Sequence, residues 1–203
     1  MVAVDSAPDG FLFALPAVGL SEQRSERRRT LEARCEAAAA LAAKRKGASV
    51  SWVYLNDEGR IMTQMIPDAV EVSGSDAMER KEEVFEAFQQ GQIKKLVTKP
   101  EIAGFGLNWQ HCAHQTFFPS HSFEQYYQAL RRSWRFGQTS DVTVDIITSE
   151  GERGVLENLM RKASAAERLF ENLVRLMGQA QTVKIEKNHN QQTNIPTWLS
   201  STN

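Results

Sequence analysis

The side chains best suited to chemistry in this 203-residue chain lie in one stretch, from Gln128 to Gln138. Gln128 and Arg132 are four residues apart, and Arg135 follows three residues later, so in a helix all three project from one face. A guanidinium stays charged and donates hydrogen bonds in a planar fork that suits phosphate oxygens. The spacing therefore predicts a phosphate clamp, and the alternative is an exposed basic helix that forms surface ion pairs.

A glycine-containing segment precedes this stretch and follows a predicted strand. It carries Gly104, Gly106 and Asn108. Small residues let the backbone approach a ligand closely, and a nearby carboxamide can orient a side chain or a water. The segment is not a dinucleotide-binding fingerprint, because the third glycine and the helix that it should open are missing.

Two further groups of residues have a chemical and a structural interpretation. His111, Cys112 and His114 are close together, but a metal site needs further ligands at suitable spacing and the sequence offers none, so no metal is predicted. Trp109 and Trp134 could stack on bases, or they could be packing residues. No serine–histidine–aspartate or paired-carboxylate arrangement indicates another kind of hydrolysis.

The composition indicates a soluble globular protein of the cytoplasm. Apolar residues make up 41% of the chain, and no apolar run approaches the roughly 20 residues of a membrane span. Cys35 and Cys112 lie far apart and are interpreted as buried thiols in a reducing compartment. The net charge of -1 means that any nucleic-acid binding must come from a local patch.

Short apolar runs alternate with helical patterns between residues 48 and 150, and these elements must position the candidate side chains. Strands are predicted at 50–55, 69–72, 93–98, 115–118 and 142–148, and helices at 58–66, 76–90 and 122–135. Ser122 with Gln125 can cap the last of these helices. This alternation indicates an α/β fold, with a parallel sheet and helices on both faces.

The segment that precedes this central part differs from it in composition and in predicted secondary structure. Residues 1–20 are predicted to be an irregular arm, and an alanine- and arginine-rich helix follows over 21–46. That helix carries an arginine cluster, which either contacts phosphate or is a solvated helix face: Arg24, Arg27, Arg28 and Arg29.

A long amphipathic helix follows the last predicted strand. Its apolar stripe, over residues 155–177, either covers the sheet or docks a partner, and the tail from residue 179 is polar. The predicted organisation is an N-terminal arm and linker helix (1–47), a central lobe (48–150), the long helix (151–178) and the tail (179–203).

Taken together, the glycine segment and the arginine stretch resemble motifs V and VI of superfamily 2 helicases, nearest to the Swi/Snf-like and phage DEAD/DEAH-box branch. Motif V reads roughly Gly-x-Gly-x-Asn, matched by Gly104, Gly106 and Asn108. Motif VI reads Gln-x-x-x-Arg-x-x-Arg, then a hydrophobic residue, Gly and Gln, matched by Gln128, Arg132, Arg135, Phe136, Gly137 and Gln138. The resemblance covers about residues 48–150 and implies the second, C-terminal RecA-like lobe of an ATP-dependent DNA helicase or translocase.

The resemblance implies roles for these residues. Arg132 and Arg135 would be arginine fingers that reach the phosphates of ATP bound by a first lobe, with Gln128 as the third catalytic residue. Gly104, Gly106 and Asn108 would line the ATP site. We expect both arginines beyond the carboxyl ends of the strands and at least partly exposed.

The resemblance also implies that loops of this lobe hold the backbone of DNA. The candidates are Ser73, Gly74, Ser75, Thr98 and Lys99, whose hydroxyl, amide and ammonium groups suit phosphate, although each could be plain turn chemistry.

The sequence departs from the family pattern in three ways. Arg131 stands where motif VI has a small or acidic residue, and Lys99-Pro100 stands where the Swi/Snf branch carries Ser-Thr. The sequence also has no Walker A or Asp-Glu-x-His/Asp box. ATP and Mg²⁺ are therefore expected only with an N-terminal RecA-like lobe, in the same or a separate chain, and neither would be bound by this chain alone. The alternative is a stand-alone nucleic-acid or partner-binding module without catalysis.

Overall fold

A parallel sheet forms the centre of the computed structural model, which describes residues 1–4, 16–103 and 107–189, with side chains through residue 177. Within these residues it has six strands, in the order β1-β6-β5-β2-β4-β3. They are β1 (Val2–Val4), β2 (Ser49–Trp52), β3 (Ala69–Val72), β4 (Lys95–Thr98), β5 (His114–Phe117) and β6 (Thr143–Ser149). Every pair is parallel, as in Ser49 of β2 opposite Lys95 and His114.

Helices cover both faces of this sheet. They are α1 (Leu20–Arg29), α2 (Leu31–Ala43), α3 (Asn56–Met65), α4 (Met78–Gln89), α5 (Phe123–Ser133) and α6 (Arg153–His189), the last preceded by a 3-10 turn at Glu150–Glu152. Successive residues of a strand point to opposite faces. Leu96 of β4 packs in a core with α4, α5 and the start of α6, whereas Val97 packs in a core with α2 and α3. The predicted α/β architecture with helices on both faces is confirmed.

Residues 2–4 differ from the predicted irregular arm. They form β1, an edge strand in which Val2 pairs with Ile147 of β6. A strand of three residues is too short to give a recognisable alternating pattern. The proposed domain boundaries at 47, 150 and 178 stay a prediction.

Two buried arginines connect α1 and α2 to the rest of the first 161 residues. Arg27 forms an ion pair with Glu152 and donates a 3.0 Å hydrogen bond to the carbonyl of Pro119. Arg34 forms a 2.7 Å ion pair with Glu58, whose other carboxylate oxygen accepts from the backbone nitrogens of Tyr54 and Leu55. Arg27 therefore belongs neither to a phosphate patch nor to a solvated helix face.

The chain divides into two compact units, residues 1–161 and 162–203. In the first unit, Val155, Leu156 and Leu159 of α6 are buried, as expected of a stripe that covers the sheet. In the second unit the stripe is exposed, at Leu169, Phe170, Leu173, Val174 and Met177. No helix within the described residues is both long enough and apolar enough to cross a membrane.

Candidate phosphate and nucleic-acid sites

The two candidate arginines lie at the end of α5. The predicted cap at the start of this helix is confirmed, because the Ser122 hydroxyl accepts a 3.2 Å hydrogen bond from the backbone nitrogen of Gln125. From there α5, with 11 residues, extends about 16 Å. The neighbouring four-residue β5 spans only about 13 Å. The helix is therefore longer than the strand that it follows.

Hydrogen bonds show which edge of the sheet the arginines reach. The carbonyl of Arg132 accepts a 2.9 Å hydrogen bond from the backbone nitrogen of Trp109, in the segment that leads into β5. The next residue, Ser133, accepts a 2.9 Å hydrogen bond from the side chain of Gln115 near the start of β5. Arg132 and Arg135 thus lie toward the amino ends of the strands. The expectation that they lie beyond the carboxyl ends is wrong, because α5 begins at that edge and runs back along the sheet.

The two guanidinium groups differ in accessibility. Arg135 is exposed, and its Nη1 donates a 3.2 Å hydrogen bond to the carbonyl of Leu107. Arg132 is only 6% exposed, so the expectation of partial exposure holds for Arg135 and is wrong for Arg132. Burial, and then the positive charge of Arg135, lower the pKa of Arg132 below its ordinary value. The two positive charges repel each other, and an anion between them would relieve that repulsion.

The structure describes only two of the remaining ATP-site candidates, Gln128 and Asn108. Gln128 is half-buried on α5, one turn before Arg132. Asn108 is exposed, and its side chain lies 3.4 Å from both the backbone nitrogen and the side-chain oxygen of Gln110. Gly104 and Gly106 lie outside the described residues.

Two glutamines that the sequence argument gave no role hold these segments together. The side chain of Gln138 donates to the carbonyl of Gln110 at 2.8 Å and to the carbonyl of Ser133 at 3.2 Å. Gln110 in turn donates to the carbonyl of Phe136. Between Phe136 and Gln138, Gly137 has a φ of 88°, which glycine adopts without strain. Gln138 is the last residue of the match to motif VI, and that match was the signal in the sequence that pointed to a role for it.

The nucleic-acid candidates meet at the opposite, carboxyl edge of the sheet. Val72, at the end of β3, pairs with Thr98 at the end of β4, so the loops that follow the two strands are neighbours. Thr98 is fully buried, and its hydroxyl donates a 2.9 Å hydrogen bond to the carbonyl of Val72. Lys99 is half-buried, whereas Gly74 and Ser75 are exposed. A ligand at this edge therefore meets Lys99 and the loop after β3 rather than the hydroxyl of Thr98.

Carboxylates share this edge with the candidate phosphate contacts. Asp76 accepts hydrogen bonds from the backbone nitrogen of Ser73 at 2.8 Å and from its hydroxyl at 2.9 Å. The bond from the backbone nitrogen is the main reason why the pKa of Asp76 is lowered, so this carboxylate is ionised at neutral pH. Burial and then Asp76 raise the pKa of Glu71, while Lys99 acts in the opposite direction. Asp76 weakens the attraction of this loop for phosphate.

The side chains of Cys112 and His114 form hydrogen bonds within the protein. Cys112 is buried, its thiol donates to the carbonyl of His114, and burial raises its pKa to about 11. The Nε2 of His114 lies 2.9 Å from a carboxylate oxygen of Asp145. No cluster of three or more histidine, cysteine, aspartate or glutamate side chains within the described part of the chain could hold a metal ion.

The two tryptophans have different environments. Trp109 is fully buried and stacks on Trp52, with their ring centroids 5.6 Å apart, so its packing interpretation is correct. Trp134 is 53% exposed and lies beside the guanidinium of Arg131.

Comparison with known proteins gives a likeness of structure only. No protein-family model and no curated protein sequence matches the chain. The C-terminal part of the Fun30 ATPase domain superposes with a TM-score of 0.55 at 14% identity, over 62% of this chain. The chain spans only 44% of that structure.

Two DEAD-box proteins have the same arrangement. The E. coli protein SrmB, solved bound to regulator of ribonuclease activity A, gives a TM-score of 0.55 at 17% identity, over 65% of this chain and 79% of the SrmB chain in that structure. The C-terminal domain of Dbp5 gives a TM-score of 0.51 at 16% identity, over 68% of this chain and 79% of that domain. The chain therefore has the fold of the second, C-terminal RecA-like lobe of superfamily 2 helicases.

Proposed function

We propose that this chain is the second lobe of a nucleic-acid-dependent ATPase of the helicase or translocase type. The observation that carries the proposal is the pair Arg132 and Arg135, held together at the end of α5 against the segment that contains Trp109. Two guanidinium groups held close despite their repulsion match the negative charge that develops on a transferred phosphoryl group.

The two arginines have different tasks in this proposal. Arg135 is exposed and can reach an anion presented by another protein surface. Arg132 is buried beneath it and adds a fixed positive charge in a poorly hydrated environment, where electrostatic attraction is stronger than in water. Gln128 lies one turn earlier on the same helix and would orient a phosphate or the attacking water.

The phosphates themselves would be held by another RecA-like lobe. Asn108 and the exposed Arg135 offer a donor and a charge, but neither supplies the carboxylates and the glycine-rich backbone that hold Mg²⁺ and the β- and γ-phosphates. That lobe, in the same or a separate chain, would present a nucleoside triphosphate to the arginine side of this one.

DNA is the proposed second ligand, at the carboxyl edge of the sheet. Lys99 and the exposed backbone of Gly74 and Ser75 would contact phosphates, so binding would be independent of base sequence and would weaken as salt is added. The arginine pair and this edge lie at opposite ends of the strands, so ATP and DNA would occupy separate sites on the lobe.

ATP turnover tests the proposal. The chain alone should hydrolyse no ATP, with or without single-stranded or duplex DNA. Assayed together with its ATP-binding lobe, in one polypeptide or co-expressed, Arg135→Ala should lower turnover by roughly 10³-fold. Arg175→Ala removes an exposed arginine from the second unit and is the matched control, with unchanged turnover. Robust turnover by the chain alone, or full turnover in Arg135→Ala, would contradict the proposal.

A further inference from the structure

An exposed strip of aromatic and cationic side chains runs along α5 beside the arginine pair. Tyr127 and Arg131 are one helical turn apart, and Trp134 caps the end of the helix. The guanidinium carbon of Arg131 lies 5.9 Å from the ring centroid of Tyr127 and 5.3 Å from that of Trp134. We propose that these three residues, the α5 platform, stack on a nucleobase, an inference that rests on the proposed function.

The two rings of the α5 platform lie outside the buried core. Tyr127 is 43% exposed and Trp134 is 53% exposed, whereas Trp52 and Trp109 fill the aromatic core on the same side of the sheet. Stacking on flat, accessible rings is how proteins bind bases without reading their sequence. The platform therefore offers unburied π surface at a fixed place.

A third aromatic ring, that of Phe136, is exposed to solvent on the neighbouring turn. Phe136 is completely exposed, and its carbonyl is fixed by the side chain of Gln110. Gly137 reverses the chain directly afterwards, and Gln138 binds the turn to Ser133. This ring is two residues from Trp134 along the chain and adds exposed apolar surface on a turn fixed by hydrogen bonds.

The charges around the α5 platform select a nucleotide over other aromatic ligands. Arg131 lies over two of the rings and adds a planar cation that itself stacks on bases. Arg135, one residue beyond Trp134, is exposed and suits phosphate. A nucleotide carries a flat base and a negatively charged phosphate close together, which matches the neighbouring Trp134 and Arg135. An apolar protein surface would instead have to bury the charge of Arg131. Arg131 stands where motif VI has a small or acidic residue, so the resemblance did not predict this cation.

The same chemistry could come from the base of a nucleoside triphosphate or from a base of a DNA strand. The fluorescence of 2-aminopurine falls when it stacks on an aromatic ring, so two probes separate these sources. One is 2-aminopurine riboside 5′-triphosphate, and the other is a single-stranded oligonucleotide that carries one 2-aminopurine. The probe that is quenched by the 203-residue chain identifies the source.

Substitutions of Trp134 test the platform. Trp134→Ala should remove the quenching and weaken binding of the responding probe about 5-fold or more, whereas Trp134→Phe keeps a ring and should retain most of both. Inorganic tripolyphosphate has no base, so its affinity should be equal in the wild-type chain and in Trp134→Ala. Circular dichroism confirms that both variants are folded, as expected for an exposed residue at the end of a helix.

Two outcomes would overturn the α5 platform. One is no quenching of either probe by the wild-type chain, and the other is equal quenching and affinity in Trp134→Ala. Failure of the proposed function gives a different result, in which tripolyphosphate binds equally well to the wild-type chain and to Arg135→Ala while quenching still depends on Trp134.

Discussion

The backbone nitrogen of Trp109 donates a 2.9 Å hydrogen bond to the carbonyl of Arg132. This bond joins the segment between β4 and β5 to the last turn of α5, and Arg135 adds a second link through the carbonyl of Leu107. Because Trp109 packs in the aromatic core against Trp52 and Phe88, these hydrogen bonds join the arginine pair to that core. Fixed positive charge of this kind can stabilise phosphate without reorganising.

Arg132 should be more important for phosphate binding than for stability. Its guanidinium is buried next to Arg135, and the lowered pKa means that the folded state disfavours the charge. Arg132→Met keeps a similar volume without the charge, so the variant should still fold and unfold cooperatively in urea. Urea unfolding measures this, and tripolyphosphate binding should be lost in the same variant. Unfolding of Arg132→Met under native conditions would show a structural role instead.

Lys99 should contribute one phosphate contact to DNA binding. Lys99→Ala should weaken binding equally for all base sequences and should lower the slope of log affinity against log salt by about 0.9 on duplex DNA. Asp76→Asn should have the opposite effect on affinity, because it removes an ionised carboxylate from the same edge and keeps an oxygen for Ser73. Fluorescence anisotropy at several salt concentrations measures both effects. An unchanged slope in Lys99→Ala would place the DNA elsewhere.

The buried pair of Arg34 and Glu58 should be important for stability. Both side chains are almost completely inaccessible. Without the carboxylate of Glu58, the buried charge of Arg34 keeps only the more distant Glu152, which lies 3.9 Å from its Nε, so most of its compensation is lost. Glu58→Gln should lower the free energy of unfolding by roughly 3 kcal/mol. Glu83→Gln breaks an exposed pair with Arg80 and should change it by less than about 1 kcal/mol. Equal effects of the two substitutions in urea unfolding would argue against a buried ion pair.

Stability should fall as the solution is acidified below neutral pH, partly through His114. Burial lowers the pKa of His114, and the hydrogen bond to Asp145 offsets this only in part. The folded-state pKa lies below the unfolded value of about 6.5, so the unfolded chain takes up protons first as the pH falls. Stability is therefore present above that value and is lost as the pH falls from it through the folded pKa. Between pH 7.5 and 5.5, His114→Gln should lose less unfolding free energy than wild type; an equal loss would contradict this assignment.

The sequence was sufficient to predict the central sheet because parallel strands are buried on both faces. Runs such as residues 50–55 are therefore mostly apolar, and the helix caps between them are local signals, as at Ser122. The partner of Arg27 could not be predicted, because Glu152 lies 125 residues away and only the folded chain brings them together.

The edge reached by the arginines also depends on tertiary structure. Residue spacing shows that Arg132 and Arg135 lie near one another on a helix, but not where that helix ends relative to the sheet. That place follows from the length of α5 and from its direction back along β5. The burial of Arg132 likewise depends on the packing at that edge, which helical periodicity alone does not predict.

Binding of inorganic tripolyphosphate to the purified chain is the most direct test of the central claim, that Arg132 and Arg135 form a phosphate site. Calorimetry should show weak binding by wild type, an equal affinity for Arg175→Ala, and no detectable binding by Arg135→Ala, whose melting temperature should be unchanged because Arg135 is exposed. If Arg135→Ala binds tripolyphosphate as well as Arg175→Ala does, the arginine pair is not a phosphate site.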